Sequence, residues 1–126
     1  MAVESRQIYC QYIVDLCNHP LNFYEMKKPD AKAEGSNPLC CDRITVFVKI
    51  KNKKIKEISF QGAGCAISKA AASIATEMAK GKTASAVKKI SDAQIIRALG
   101  IPISPARMKC ALLGMSAVRA ALEKAR

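Results

Sequence analysis

A chain of 126 residues, half hydrophobic and a quarter charged, is read as one domain, 1–126, with a single core; this composition excludes a disordered tail. Lys and Arg number 21 against 10 Asp and Glu, a net charge of +11, which favours acidic partners. The densest basic run, "KIKNKKIK" from Lys49 to Lys56, has no aromatic side chains interleaved with it, which speaks against a base-stacking nucleic-acid platform, and no apolar run reaches membrane-spanning length.

Residues 5–17 carry Ile8, Tyr9, Tyr12, Ile13 and Leu16 at helical spacing, and Pro20 ends that helix. Cys10 and Cys17 fall about two turns apart on one face and read as core cysteines. From Lys27 to Pro38 the chain is polar and rich in Lys, Pro, Gly and Ser, which predicts a loop. From Asp42 the period becomes two: Ile44, Val46, Val48 and Ile50 share one face, Arg43, Thr45 and Lys49 the other. "KNKK" turns the chain and "IKEISF" returns as an antiparallel strand, which "GAG" interrupts.

A helix opens near Cys65 with Ile67, Ala70, Ala71, Ile74, Ala75 and Met78 as its apolar stripe, and Gly81 is its stop. Short helices follow at Thr83–Ile90 and Asp92–Leu99, with Gly100 and Pro102 ending the second. The last helix starts at Ser104 as N-cap with Pro105 in the first helical position. Its stripe is Met108, Ala111, Leu112, Met115, Val118 and Leu122. The sum is an α+β fold: a small antiparallel sheet covered by helices.

Six cysteines in so short a chain raise the question of disulfides. The N-terminal stretch shows no apolar secretory segment, the core needs no staples, and Cys40 and Cys41 are adjacent. A reducing, cytoplasmic setting is therefore expected, in which clustered thiols bind metal or do chemistry. Cys40 and Asp42 are i and i+2 in an extended segment and address one side, while Cys41 faces away. Cys65 sits at a helix start, where unpaired N–H groups favour a thiolate, and Gly62 and Gly64 leave space beside it. Helical geometry puts Cys65 and Cys110 off the apolar stripes of their own helices, so neither reads as a core residue. Three thiols and a carboxylate from separate elements suit zinc or an iron–sulfur cluster. No C-x-x-C occurs, so spacing alone leaves metal-binding, reactive and structural cysteines all open.

"NPLCCDRITVFVKI", "ISFQGAGCAIS" and "SPARMKCALL" resemble, in order, the three cysteine motifs of the iron–sulfur cluster scaffold family of the IscU/SufU/NifU N-domain type. "NHPLNF" from Asn18 to Phe23 resembles the segment after that family's first helix. The resemblance spans nearly the whole chain and implies an IscU/NifU-N-like architecture with a sheet of about three strands. It implies a scaffold, not a turnover enzyme, on which a [2Fe–2S] cluster is built from iron and desulfurase-derived persulfide sulfur and passed to apo-proteins. The implied partners are a cysteine desulfurase and apo iron–sulfur acceptors, with a homodimer compatible with the cluster-loaded state.

Carried onto this chain, the ligands would be Cys40, Cys65 and Cys110. Asp42 would be a fourth ligand or the group that makes the cluster labile, and Cys110 is the candidate persulfide acceptor. Departures from the pattern bear on the metal. Lys109 stands where many IscU members have histidine, and an ammonium has no lone pair; this favours Asp42, since His19 is the one histidine and reads as a surface or capping residue. "RMKC" resembles the SufU branch, whose members bind zinc and receive sulfur, so zinc in place of the cluster and a sulfur-acceptor role form the alternative. Cys41 replaces a usual glycine and reads as a neutral substitution. Arg107 and Lys109 read either as solvated charges or as stabilisers of a negatively charged cluster.

Overall fold

The computed structural model describes residues 11–37 and 42–125. A first helix, α1, covers residues 11–18. Three strands follow, β1 (Ala31–Asn37), β2 (Asp42–Lys51) and β3 (Lys54–Ala63), then α2 (Ala66–Ala79), α3 (Ala84–Lys88), α4 (Asp92–Leu99) and α5 (Pro105–Lys124). The strands form one antiparallel sheet in the order β1-β2-β3.

Alternation in β2 and β3 puts Ile44, Val46, Val48, Ile58 and Phe60 into the core with no exposed surface. Each such side chain contributes about 1.5–3 kcal/mol through burial. Asn52 and Lys53 join the two strands, both at positive φ (54° and 65°), the backbone of a two-residue hairpin turn whose twist suits the strands it links. β3 does not stop at Phe60 but runs on through Ala63. Gly62 allows this: it has φ 150°, and a Cβ there would fall 2.0 Å from the Arg43 carbonyl oxygen.

The segment read as a loop contains β1. Asn37 pairs with Asp42 and Ala31 with Val48, and in this strand only Ala33 and Asn37 are buried. Its side chains are too small and polar to show as an apolar alternation; β2 supplies the hydrogen bonds and α5 the packing surface. In α1, Ile13 and Leu16 are buried as expected, whereas Tyr12 is exposed and Cys17 half-buried. Ile8, Tyr9 and Cys10 lie outside the described residues.

Helices α2 and α5 pack against each other, and α5 also lies along β1 and β2. Their crossing is backbone-close: a Cβ on Gly114 would come within 2.7 Å of Ala72 Cα. α2 is buried at every position from Ala70 to Thr76, a wider surface than its stripe. Gly81 takes φ 78° just beyond α2, and its N–H donates to Ile55. α4 begins with a reciprocal capping box between Ser91 and Gln94 and ends at Gly100 in the left-handed conformation. α5 starts at Pro105 as expected, although the Ser104 side chain makes no capping bond. Among the described residues no helix is long and apolar enough to cross a membrane.

Candidate metal centre

The end of the sheet away from the Asn52–Lys53 turn gathers the chemistry. Asp42 is the first residue of β2 and lies across from Asn37, the last of β1. Cys65 follows β3 and is the N-cap of α2. Cys110 lies in the second turn of α5. One ligand atom from each of Asp42, Cys65 and Cys110 lies within 4.8 Å of the other two. Cys17, Cys65 and Cys110 form no disulfide among the described residues. Cys40 and Cys41, and with them the reading of which one shares a side with Asp42, fall outside the described residues.

Asp42 is 2% exposed and carries a dense set of donors. Its Oδ1 accepts the Cys65 backbone N–H at 3.1 Å, so β2 caps the N-terminus of α2. Its Oδ2 accepts the Ser68 hydroxyl at 2.6 Å and faces the Cys65 thiol at 3.9 Å. Burial pushes the carboxyl group towards its neutral form, but hydrogen bonds from Cys110, Ser68 and Cys65 outweigh it and hold Asp42 below the usual carboxylate range.

Cys65 is half-buried, with Sγ 3.4 Å from the Ser68 oxygen. Burial raises its thiol, and so does the charge of Asp42. The Ser68 hydroxyl and the backbone N–H groups of Ser68 and Ile67 act the other way, and the net result lies below the ordinary thiol value. A thiolate at the mouth of a helix is the expected outcome of those unpaired amides. Gly64 makes this contact possible, because a Cβ there would meet Asp42 Oδ1 at 2.9 Å and Ser68 Cβ at 3.2 Å.

Cys110 differs from its expected placement. It has no exposed surface, because α5 is covered by β1 and β2 on one side and α2 and α4 on others, so its buried arc exceeds its apolar stripe. The Asn37 amide donates to Cys110 Sγ at 3.6 Å. Asn37 and Ser68 are the partners that spacing did not reveal. Both stood inside the cysteine motifs, and Ser68 is one helical turn from Cys65, but their roles depend on contacts across the fold. Arg107 and Lys109 are exposed, and Lys109 lines a cavity of about 390 Å³ together with Asn37 and Met108. His19 is exposed, and its N–H donates to Asp15.

Residues 8–126 match the family described as NifU-like N terminal domain. The chain belongs to that family. Among its relatives, the iron–sulfur cluster assembly scaffold protein IscU 1 of Archaeoglobus fulgidus is 36% identical over 91% of this chain and 74% of its own length. The zinc-dependent sulfurtransferase SufU of Bacillus subtilis is 33% identical over 93% of this chain and 90% of its own. A crystal structure of a putative scaffold protein for the SUF system from Fervidobacterium islandicum superposes with a TM-score of 0.75 at 26% identity, covering 88% of this chain and 93% of that one. The N-terminal NifU-like protein of Brucella abortus shares the fold, with a TM-score of 0.77 at 18% identity over 99% of this chain and 97% of that one. The family's fold is the one described above, three antiparallel strands with helices packed on them.

Proposed function

We propose that this protein is a scaffold on which an iron–sulfur cluster, of the [2Fe–2S] type, is assembled and from which it is handed to apo-proteins. The observation that carries this reading is the convergence of Asp42, Cys65 and Cys110 within 4.8 Å from three separate elements at one end of the sheet. The donor set fits the cargo: two sulfurs are soft ligands suited to iron or zinc, and one carboxylate is a harder and more readily exchanged ligand. Cys40, in the segment joining Asn37 to Asp42, is the proposed third thiol.

The protein's own part is to bind and position. Cys65 presents a thiolate-favouring sulfur at the mouth of α2, and Cys110 presents a second from α5. Cys110 is the proposed acceptor of sulfur from a cysteine desulfurase. Cys110 has no exposed surface, so docking of the donor must first uncover it. Its thiolate then attacks the outer sulfur of the donor's persulfide, the donor leaves as a thiolate, and Cys110 carries the persulfide with no net change in oxidation state. Reduction of that sulfur to sulfide needs two electrons, supplied by a separate electron-donor protein. No turnover chemistry is required of the fold.

A second reading is favoured by the similarity to the zinc-dependent SufU: the same residues hold zinc, and the protein only relays sulfur. Anaerobic loading with iron and sulfide, followed by metal analysis and a visible spectrum, separates the two. The scaffold reading expects a brown protein with sulfur-to-iron charge-transfer absorption that depends on Cys65 and Cys110. A colourless, zinc-retaining protein that accepts persulfide and takes up no iron overturns it in favour of the relay.

A further inference from the structure

Ser68 is not in the proposed ligand set, yet both polar members of the described site on its side converge on it. It lies on α2 one turn beyond Cys65 and is fully buried. Its hydroxyl donates to Asp42 Oδ2 at 2.6 Å and stands 3.4 Å from Cys65 Sγ. The contact to the carboxylate is the shorter and is charge-assisted. Because Oδ1 is taken by the Cys65 N–H, the first turn of α2 grips the carboxylate at both oxygens and fixes its rotation. A serine inside a helix ordinarily turns its hydroxyl to a carbonyl one turn back or to solvent; this one reaches across to another element. Helix capping does not require it, since the Asp42 carboxylate already satisfies the N-cap amide.

We propose that Ser68 is a positioning residue for the metal centre, holding the Asp42 carboxylate turned towards the Cys65 and Cys110 sulfurs and acting on the bound ion chiefly through Asp42, not as a ligand itself. Packing supports the assignment. A Cβ on Gly64 would come within 2.9 Å of Asp42 Oδ1 and 3.2 Å of Ser68 Cβ, so the carboxylate and the serine fill their space. Removal of the hydroxyl opens room at one oxygen only, and the carboxylate gains the rotation that the hydroxyl now denies it. Groups that orient a ligand commonly contribute 10–100-fold to metal affinity without touching the metal.

The role rests on the metal-site reading above, and its test separates the two. Zn²⁺ affinity is measured by chelator competition, under anaerobic reducing conditions, for the wild-type chain, Ser68→Ala, Asp42→Ala and the double variant, with urea unfolding of each apo-protein alongside. Ser68→Ala is expected to bind Zn²⁺ about 10-fold more weakly. The double variant is expected to fall within about threefold of Asp42→Ala, since most of the effect of Ser68 passes through that carboxylate. Unchanged affinity in Ser68→Ala, a further 10-fold loss on top of Asp42→Ala, or a Ser68→Ala chain that does not fold would each assign Ser68 to packing and overturn the proposal. A wild-type chain that binds neither Zn²⁺ nor, after anaerobic loading, iron overturns the metal site itself.

Discussion

The two ends of the sheet are built from the same two strands and solve opposite problems. At the Asn52–Lys53 turn the chain is open and lysine-rich: Lys51, Lys53, Lys54 and Lys56 are exposed, and no carboxylate is buried among them. At the other end a carboxylate with 2% exposure is held by a backbone amide, a serine and two thiols. Taking an ion out of water costs several kcal/mol, and hydrogen bonds to a charged group return about 1.5–3 kcal/mol each. The site end therefore loses stability with each donor removed, whereas the turn end has nothing comparable to lose. The fold concentrates its constraints where the chemistry is and leaves the far end permissive.

The sharpest way to break that contrast is to crowd the site end. Gly62→Val places a side chain where the Arg43 carbonyl lies and is expected to lower apo stability by about 3 kcal/mol, the upper part of the range for overpacking; a urea midpoint close to wild type would show that the β2–β3 pairing yields more easily than its geometry implies. Cys65→Ser and Cys110→Ser each remove a sulfur and should weaken Zn²⁺ binding by at least about 100-fold, at or beyond what an orienting group contributes, as read by chelator competition. Cys17→Ser, outside the cluster of Asp42, Cys65 and Cys110, should leave binding unchanged.

Asp42→Ala sharpens the comparison through kinetics. Equilibrium affinity reports how well the empty site is arranged, but transfer reports how readily a ligand lets go. With its oxygen ligand removed, a loaded cluster should pass to an apo-ferredoxin several-fold more slowly. Equal or faster transfer would move the release step to another group.

Acid titration gives a smaller effect. The folded Asp42 carboxyl lies below its unfolded value of about 3.9, so its contribution to stability is present above that value and is lost as pH falls through the depressed folded value. Asp42→Asn should flatten the acid limb of the apo stability profile below about pH 4; an unchanged slope would place the acid sensitivity elsewhere. Smallest is the change at the permissive end. Lys53 holds a positive φ that glycine adopts without strain, and Lys53→Gly is expected to raise stability by about 0.5 kcal/mol, because relief of left-handed strain slightly exceeds the added backbone entropy.

Much of this was legible in the residue pattern. The alternation of β2, the bounds of α4 at Asp92 and Leu99, and the Ser104–Pro105 start of α5 depend on local chemistry, and each is found where that chemistry puts it. Asp42, Cys65 and Cys110 each stand inside one of the three cysteine motifs. β1 was not legible, because Ala33 and Gly35 are too small to declare a strand and need β2 and α5 beside them. The burial of Cys110 was hidden for a related reason: a helix flanked on several sides has no single apolar stripe. Asn37 and Ser68 could be seen as motif letters but not as donors, since their acceptors lie on other elements.

The crossing of α2 and α5 at Ala72 and Gly114 has a mechanical consequence. Cys110 sits four residues from that contact and Cys65 seven, so at 1.5 Å per residue the two sulfurs hang on lever arms of about 6 and 10 Å. The absence of a methyl group at Gly114 lets the two helices meet almost backbone to backbone, so this one contact lies behind both sulfurs. A methyl group added there would press on Ala72 and is expected to shift the spacing of the two sulfurs without touching either.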